Sequence, residues 1–257
     1  MAIYLRQICT VAESLAHAVE EIGAVFATPV CHVDPGVGKF GLENALMAIG
    51  SQFLEVVAPL REGTAAGRYL DRRGGNGGYM VICQVRDRAE QDAVRTRAAE
   101  NAVRVSYESD RGSWNIMQLH PGDMRATFFE VDWDENGDET GVWQPAGGLD
   151  WRENLNTELV SAITAAELQS DDPAALAAHW ARVAGAPVED RGGIPHVPLG
   201  NADLRFVANA DGRGAGLGAI DLRAADPARV LANAEARGCR TGDSQLLVCG
   251  LRVNLVS

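Results

Sequence analysis

Residues 128–139 read FFEVDWDENGDE, and their side-chain oxygens could serve two chemistries. Asp132, Asp134, Asn136 and Gly137 match the opening of a calcium-binding loop, while Glu130 stands just upstream in a strand-like segment. The calcium reading fails on spacing. An EF-hand loop needs a bidentate carboxylate at its twelfth position and a helix on each side. Counted from Asp132 that position is Trp143, and the preceding ATFFEV is aromatic and β-branched, which suits a strand. Asp, Asn and Gly here make an acidic turn instead.

Other reactive side chains are scattered. His32 adjoins Cys31 on a predicted strand, where neighbours point to opposite faces, so the two make no nucleophile–base pair. His120 stands at a strand end before Pro121, and His17 and His179 fall on predicted helices. The five cysteines are irregularly spaced, giving neither a disulfide framework nor a zinc motif, and imply reduced thiols in a cytoplasmic protein. GRGAGLG (212–218) and RRGGNGG (72–78) resemble phosphate loops, but a phosphate loop follows a strand and opens a helix. Both pieces precede a strand and read as linkers, so no nucleotide cofactor is expected.

The formal net charge of −12 argues against a nucleic-acid partner, since phosphate binding needs a surplus of Lys and Arg. Arg86, Arg88, Arg95, Arg97 and Arg104 lie on or beside a predicted helix among Glu90, Asp92 and Glu100, as on a solvated face. No apolar run approaches the ~20 residues of a membrane span, and MAIYLRQICTVAESL lacks a secretory-signal pattern. The expected partner is a small molecule, and the expected state a monomer or homodimer.

The elements that would position any site form a repeat. IYLRQICTVA reads as a strand, ESLAHAVEEIG as a helix, and TPVCHVD, LENALMAIG and SQFLEVVAP as three strands, with Gly50-Ser51 a hairpin turn. The order recurs from GYMVICQVRD, again from SAITAAELQS, and a fourth time from GLGAIDLRAA with one strand abbreviated. Asp172-Pro173 and Asp226-Pro227 place a capping carboxylate before a first-turn proline. The prediction is an α+β fold of four βαβββ modules in two domains. The first spans 1–135 (modules 1–75 and 76–135), a linker covers 136–156, and the second spans 157–257 (modules 157–210 and 211–257).

Tandem βαβββ modules, with RQICTVAESL, LENALMAIGSQFLEVVAP and HPGDMRATFFEV, resemble the vicinal-oxygen-chelate superfamily. That superfamily includes glyoxalase I, methylmalonyl-CoA epimerase, extradiol dioxygenases and bleomycin-resistance proteins, and the first half is most similar to its glyoxalase-like branch. The resemblance implies that each domain curves eight strands of mixed sheet into an incomplete barrel, with helices outside. It also implies a divalent metal (Mg, Mn, Ni or Zn) on the concave floor. Matched to the motifs, Gln7 takes the first ligand position, Glu55 the second and Glu130 the fourth. The third, usually a histidine, falls at Tyr79 or Met80; His32 and His120 are further candidates. Methionine is too soft for such a metal and neutral tyrosine a weak ligand, so a two-histidine, one-carboxylate iron site cannot be drawn. The second domain keeps no carboxylate or imidazole at the matching positions, near Ala165, Arg205 or Phe206, Gly218 and Asn254, and reads as degenerate.

Two functions follow from the resemblance. As an isomerase, epimerase or lyase of the glyoxalase type, the protein would use Glu55 and Glu130 as catalytic carboxylates on a small carbonyl substrate, with the metal polarising the carbonyl. Without metal, two neighbouring glutamates repel one another and one pKa rises. As a bleomycin-resistance-like binder, it would sequester a small molecule, and an acidic chain with Trp114, Phe128 and Trp133 suits a cation.

Overall fold

The computed structural model describes residues 2–257. The first module comprises β1 (Tyr4–Val11), α1 (Leu15–Phe26), β2 (Val30–His32), β3 (Leu42–Ile49) and β4 (Gln52–Pro59). A further short helix, α2 (Ala65–Arg73), leads into the second module: β5 (Gly77–Val85), α3 (Arg88–Glu100), β6 (Val105–Asp110), β7 (Trp114–Leu119), a single turn α4 (Pro121–Met124) and β8 (Phe128–Asp134). The third module is β9 (Val160–Ser170), α5 (Pro173–Ala184), β10 (Glu189–Arg191), β11 (Ile194–Pro198) and β12 (Asp203–Ala208). The fourth is β13 (Gly216–Ala224), α6 (Pro227–Ala236), β14 (Gln245–Val248) and β15 (Leu251–Val256), one strand short.

The helix starts follow local chemistry. Asp87, Asp172 and Asp226 each accept a backbone N–H from the first turn of α3, α5 and α6, and Ser14 does the same for α1. Gly50 has φ +64° in the β3–β4 turn, and a Cβ there would lie 2.2 Å from the Ser161 carbonyl oxygen, so only glycine fits.

The strands form two open mixed sheets. One has eight strands in the order β2-β3-β4-β1-β5-β8-β7-β6, the other seven in the order β10-β11-β12-β9-β13-β15-β14. The abbreviated fourth module accounts for the seventh-strand limit. At the edge of the larger sheet, β6 carries Glu108 and Asp110 in bidentate pairs with Arg95 and Arg88 of α3. These exposed pairs add little stability, but charges on an edge strand discourage pairing with another chain. The predicted arginine face of α3 thus has a partner strand.

Packing groups the chain into two compact units: Met1–Gln7, Tyr79–Val142 and Ala165–Gly218 in one, and Ile8–Gly78, Trp143–Thr164 and Ala219–Ser257 in the other. In the first, α3 packs with α5. Arg97 donates to the Val183 and Ala184 carbonyls at 3.0 and 3.1 Å, satisfying the end of α5. Trp180 of α5 is fully buried between Phe129 (ring centroids 4.9 Å) and Phe206 (6.3 Å), and its indole N–H donates to the Met124 carbonyl. In the second unit α1 packs with α6, and Glu21 accepts from the Cys249 N–H at 2.6 Å. Residues 136–156 are more than a polar linker. Trp143 and Trp151 are buried there, Trp151 edge-on to Phe53 at 5.3 Å.

Candidate active site

The first compact unit collects its polar chemistry on one face of β8. Residues two apart on a strand share a face, so Glu130, Asp132 and Asp134 line up. The opposite face, with Phe129, lies against Trp180 of α5. All three carboxyls are buried, at 4%, 2% and 3% exposure. Three negative charges cannot be held so close without compensation, and each carboxyl is handled differently.

Asp134 is the turn former. Its Oδ1 accepts the N–H groups of Asn136 (2.8 Å) and Gly137 (3.1 Å), and its Oδ2 accepts the Gln84 side-chain N–H at 3.1 Å. The calcium-like opening is therefore a self-satisfied turn. Gln84 in turn accepts from Arg6 at 2.7 Å, which fixes which end of its amide is oxygen. The fully buried Arg6 also donates to the Asp138 and Gly141 carbonyls at 3.0 and 3.2 Å.

Asp132 accepts the Met117 N–H at 3.2 Å and hydrogen-bonds Glu130. Burial first, then the Glu130 charge and that hydrogen bond, hold the Asp132 carboxyl well above the usual carboxylate range. Asp132 therefore holds its proton more tightly than an ordinary aspartate does, beside the Glu130 carboxyl. Burial and these two carboxyls also push the Cys83 thiol well above its usual range, making it an inert neighbour.

A consequence for stability follows from the sign of that shift. An acid raised in the folded state costs nothing below its unfolded pKa, where it is protonated in both states. As pH rises through the unfolded value the unfolded chain ionises first, so the folded state loses stability until Asp132 itself ionises. Asp132→Asn keeps a donor for Glu130 and an acceptor for Met117 while removing the titration. We expect its unfolding temperature to exceed the wild type's by about 2–4 °C at neutral pH, the shift per ~1 kcal/mol at this size. The gain should vanish toward about pH 3.5, below the ordinary aspartate value; thermal unfolding followed by circular dichroism across pH checks it.

The register then locates the remaining site residues. Ile82 and Gln118 are the cross-strand partners of Glu130, and Tyr107 is the partner of Gln118. Tyr107, Gln118, Glu130 and Ile82 therefore form one row across β6, β7, β8 and β5 with side chains on a common face. Gln118 and Tyr107 are half-buried. Trp114 and Phe128 share this face, Trp114 under the Arg111 guanidinium at 4.9 Å, while Trp133 lies on the other and does not wall the site.

Of the metal set implied by the resemblance, Gln7 and Glu130 lie in this unit and Glu55 in the other. Arg6 shares the Glu130 face through Gln84, so Gln7, its neighbour on β1, points the other way. A guanidinium is always charged and only donates, so it opposes a divalent cation at that place. Met80 shares the face as a soft thioether, and Tyr79 beside it does not share it. Glu55 belongs to the other compact unit, where it is buried and accepts from the Asn44 amide at 2.6 Å. His32 also lies in that unit, its ring against the Gly147 backbone, where a Cβ would come within 2.7 Å of Nδ1. His120 is a surface residue beside Arg104 and Asp123, 3.5 Å from the latter. The Asp123 carboxyl is lowered to about 2, chiefly by its hydrogen bond with Arg104. Among the described residues no group of three or more His, Cys, Asp or Glu side chains is placed to hold a metal.

A family model described as a glyoxalase-like domain matches residues 10–184, well over half of the chain. The protein belongs to this glyoxalase-like family. A hypothetical protein from Staphylococcus aureus shares the fold over 100% of this chain and 99% of its own, at 12% identity and a TM-score of 0.68. Methylmalonyl-CoA epimerase from Mycobacterium tuberculosis is similar at 24% identity, over 51% of this chain and 87% of its own, with a TM-score of 0.44. A Streptomyces coelicolor methylmalonyl-CoA epimerase, solved with 2-nitronate-propionyl-CoA, is 24% identical over 52% and 96%, with a TM-score of 0.45. No curated protein matches the sequence. The glyoxalase-like sheets carry no helix, among the described residues, long and apolar enough to cross a membrane.

Proposed function

We propose that this glyoxalase-like protein is an isomerase or epimerase that moves a proton at the carbon beside a carbonyl, with Glu130 as the base. What supports the reading is the Glu130–Asp132 pair: two buried carboxyls on one face of β8, with burial and the Glu130 charge raising the Asp132 carboxyl. Such a pair binds a second proton without gaining positive charge, and the low-polarity surroundings favour its neutral form. Glu130 is the member that faces the half-exposed Gln118 row, and Asp132 orients it through their shared hydrogen bond. Asp134, Gln84 and Arg6 brace the end of β8 and its turn. No step is routed through a metal, because the donor set on this face does not fit one.

The test is solvent-deuterium exchange. Enolisable carbonyl compounds incubated with the protein in deuterium oxide should lose the proton beside the carbonyl, as followed by proton NMR. Absence of protein-dependent exchange across aldehydes, ketones and thioesters would count against the reading.

A further inference from the structure

We infer that the cavity at the C-terminal end of α1 binds a primary ammonium group carried on a short alkyl chain. The inference does not rest on Glu130, which belongs to the other compact unit. The cavity, of about 540 Å³, is lined by the last turn of α1, the residues that follow it, and the segment 153–156. Thr28 is part of this lining. That residue is 2% exposed, and its hydroxyl has no hydrogen-bond partner among the described residues. A buried hydroxyl without a partner is costly, so its place on a cavity wall points to a ligand that supplies one.

Charge decides the class of ligand. The C-terminal end of a helix is partially negative, and the last turn of α1 carries no basic side chain to offset it. Ala27, at φ +55°, closes the helix by donating its N–H to the Gly23 carbonyl at 2.9 Å. The Val25 and Ala27 carbonyls are met by neutral amides, Asn233 at 3.2 Å and Asn156 at 3.0 Å. The helix end thus keeps its negative potential. Glu153 adds a full negative charge to the lining, exposed and without an ion pair among the described residues. The neighbouring arginines are engaged elsewhere: Arg152 lies over the Trp151 ring at 5.3 Å, Arg229 pairs with Glu158 at 3.6 Å and Arg237 with Glu20 at 2.9 Å. A cation is therefore favoured over an anion. Hydroxyl, carboxylate and carbonyl oxygens all accept N–H, which selects an ammonium with hydrogens to donate. Pro29 and the 40%-exposed Leu155 give the cavity an apolar wall for the alkyl chain.

The experiment titrates the full chain with n-butylammonium and follows backbone amides by NMR. Two controls are run at the same ionic strength: tetramethylammonium, which has the charge without N–H, and n-butanol, which has the chain without charge. Signals of Ala27, Thr28 and Leu155 should shift saturably with n-butylammonium, and each control should bind at least about tenfold more weakly. Thr28→Val keeps the shape and removes the hydroxyl. Its Kd should rise about tenfold or more, as for a lost hydrogen bond to a charged group, while its unfolding temperature holds or rises. Thr28→Ser keeps the hydroxyl and should bind within about threefold of wild type. Glu153→Gln, on an exposed side chain, should raise Kd by only about two- to fivefold. No saturable shift, a control that binds as tightly as n-butylammonium, or wild-type affinity in Thr28→Val overturns the inference. If Thr28→Val does not fold, unchanged affinity in Glu153→Gln overturns it instead.

Discussion

Glu130→Gln is expected to lower the rate of solvent-deuterium exchange by roughly 10²–10⁴-fold, the range supplied by a positioned general base. Glutamine keeps the length and the buried polar contacts but cannot take a proton. Its carbonyl oxygen still accepts the O–H that Asp132 donates, so the hydrogen bond within the pair survives. The substitution also replaces one buried negative charge with a neutral amide, which should not destabilise the fold. Activity and stability should therefore separate: a large fall in kcat with an unfolding temperature at or above the wild type's. A variant that kept its exchange rate would show that Glu130 is not the base.

Trp180→Ala should destabilise the protein by about 3–5 kcal/mol, the cost of truncating a buried tryptophan. The indole is fully buried between Phe129 and Phe206, and both aromatic contacts would be lost with it. Its N–H donates to the Met124 carbonyl at 2.9 Å, and removal leaves that buried acceptor to find another donor. The unfolding temperature should drop by roughly 6–20 °C. Trp180→Phe keeps most of the packing and loses only the hydrogen bond, so its cost should be about 1–2 kcal/mol. Because Phe129 lies on the reverse side of β8 from Glu130, Trp180→Ala should also loosen the site, and exchange should fall in parallel with stability. Equal stability for the two variants would mean that α5 is not held by this ring.

The repeat was readable because each module restates the same local signals. Helix caps at Asp172 and Asp226, apolar runs of strand length and the Gly50 turn are properties of short segments, and successive modules repeat their elements in the same order along the chain. The site was only partly readable, for two physical reasons. Strand side chains alternate, so a motif matched one residue out of step reverses the face. RQICTV offers Arg6 and Gln7 side by side; a ligand-like amide was the natural choice, yet Arg6 shares the face of Glu130. Spacing alone could not decide this, whereas the hydrogen bonds through Gln84 do. The second reason is that FFEVDWDENGDE reads most readily as a turn, which hides its alternation. Glu130, Asp132 and Asp134 are each two apart, and on a strand that spacing is itself the signal for a carboxyl cluster. Gln118 and Tyr107 carried no signal of their own, because only cross-strand register places them beside Glu130. The pairing of α3 with α5 and α1 with α6 was likewise invisible, since it depends on packing between distant modules.

The central claim is that Glu130 and Asp132 share one proton at neutral pH, and carboxyl-carbon NMR of protein labelled with ¹³C at the aspartate side chains tests it directly. Asp132, assigned by the loss of its signal in Asp132→Asn, should keep the shift of a protonated acid from about pH 5 to pH 8, while exposed aspartates titrate near their ordinary value of about 4. An Asp132 signal that moves with the exposed aspartates would contradict the account, leaving the glyoxalase-like fold without the acid pair proposed to work in it.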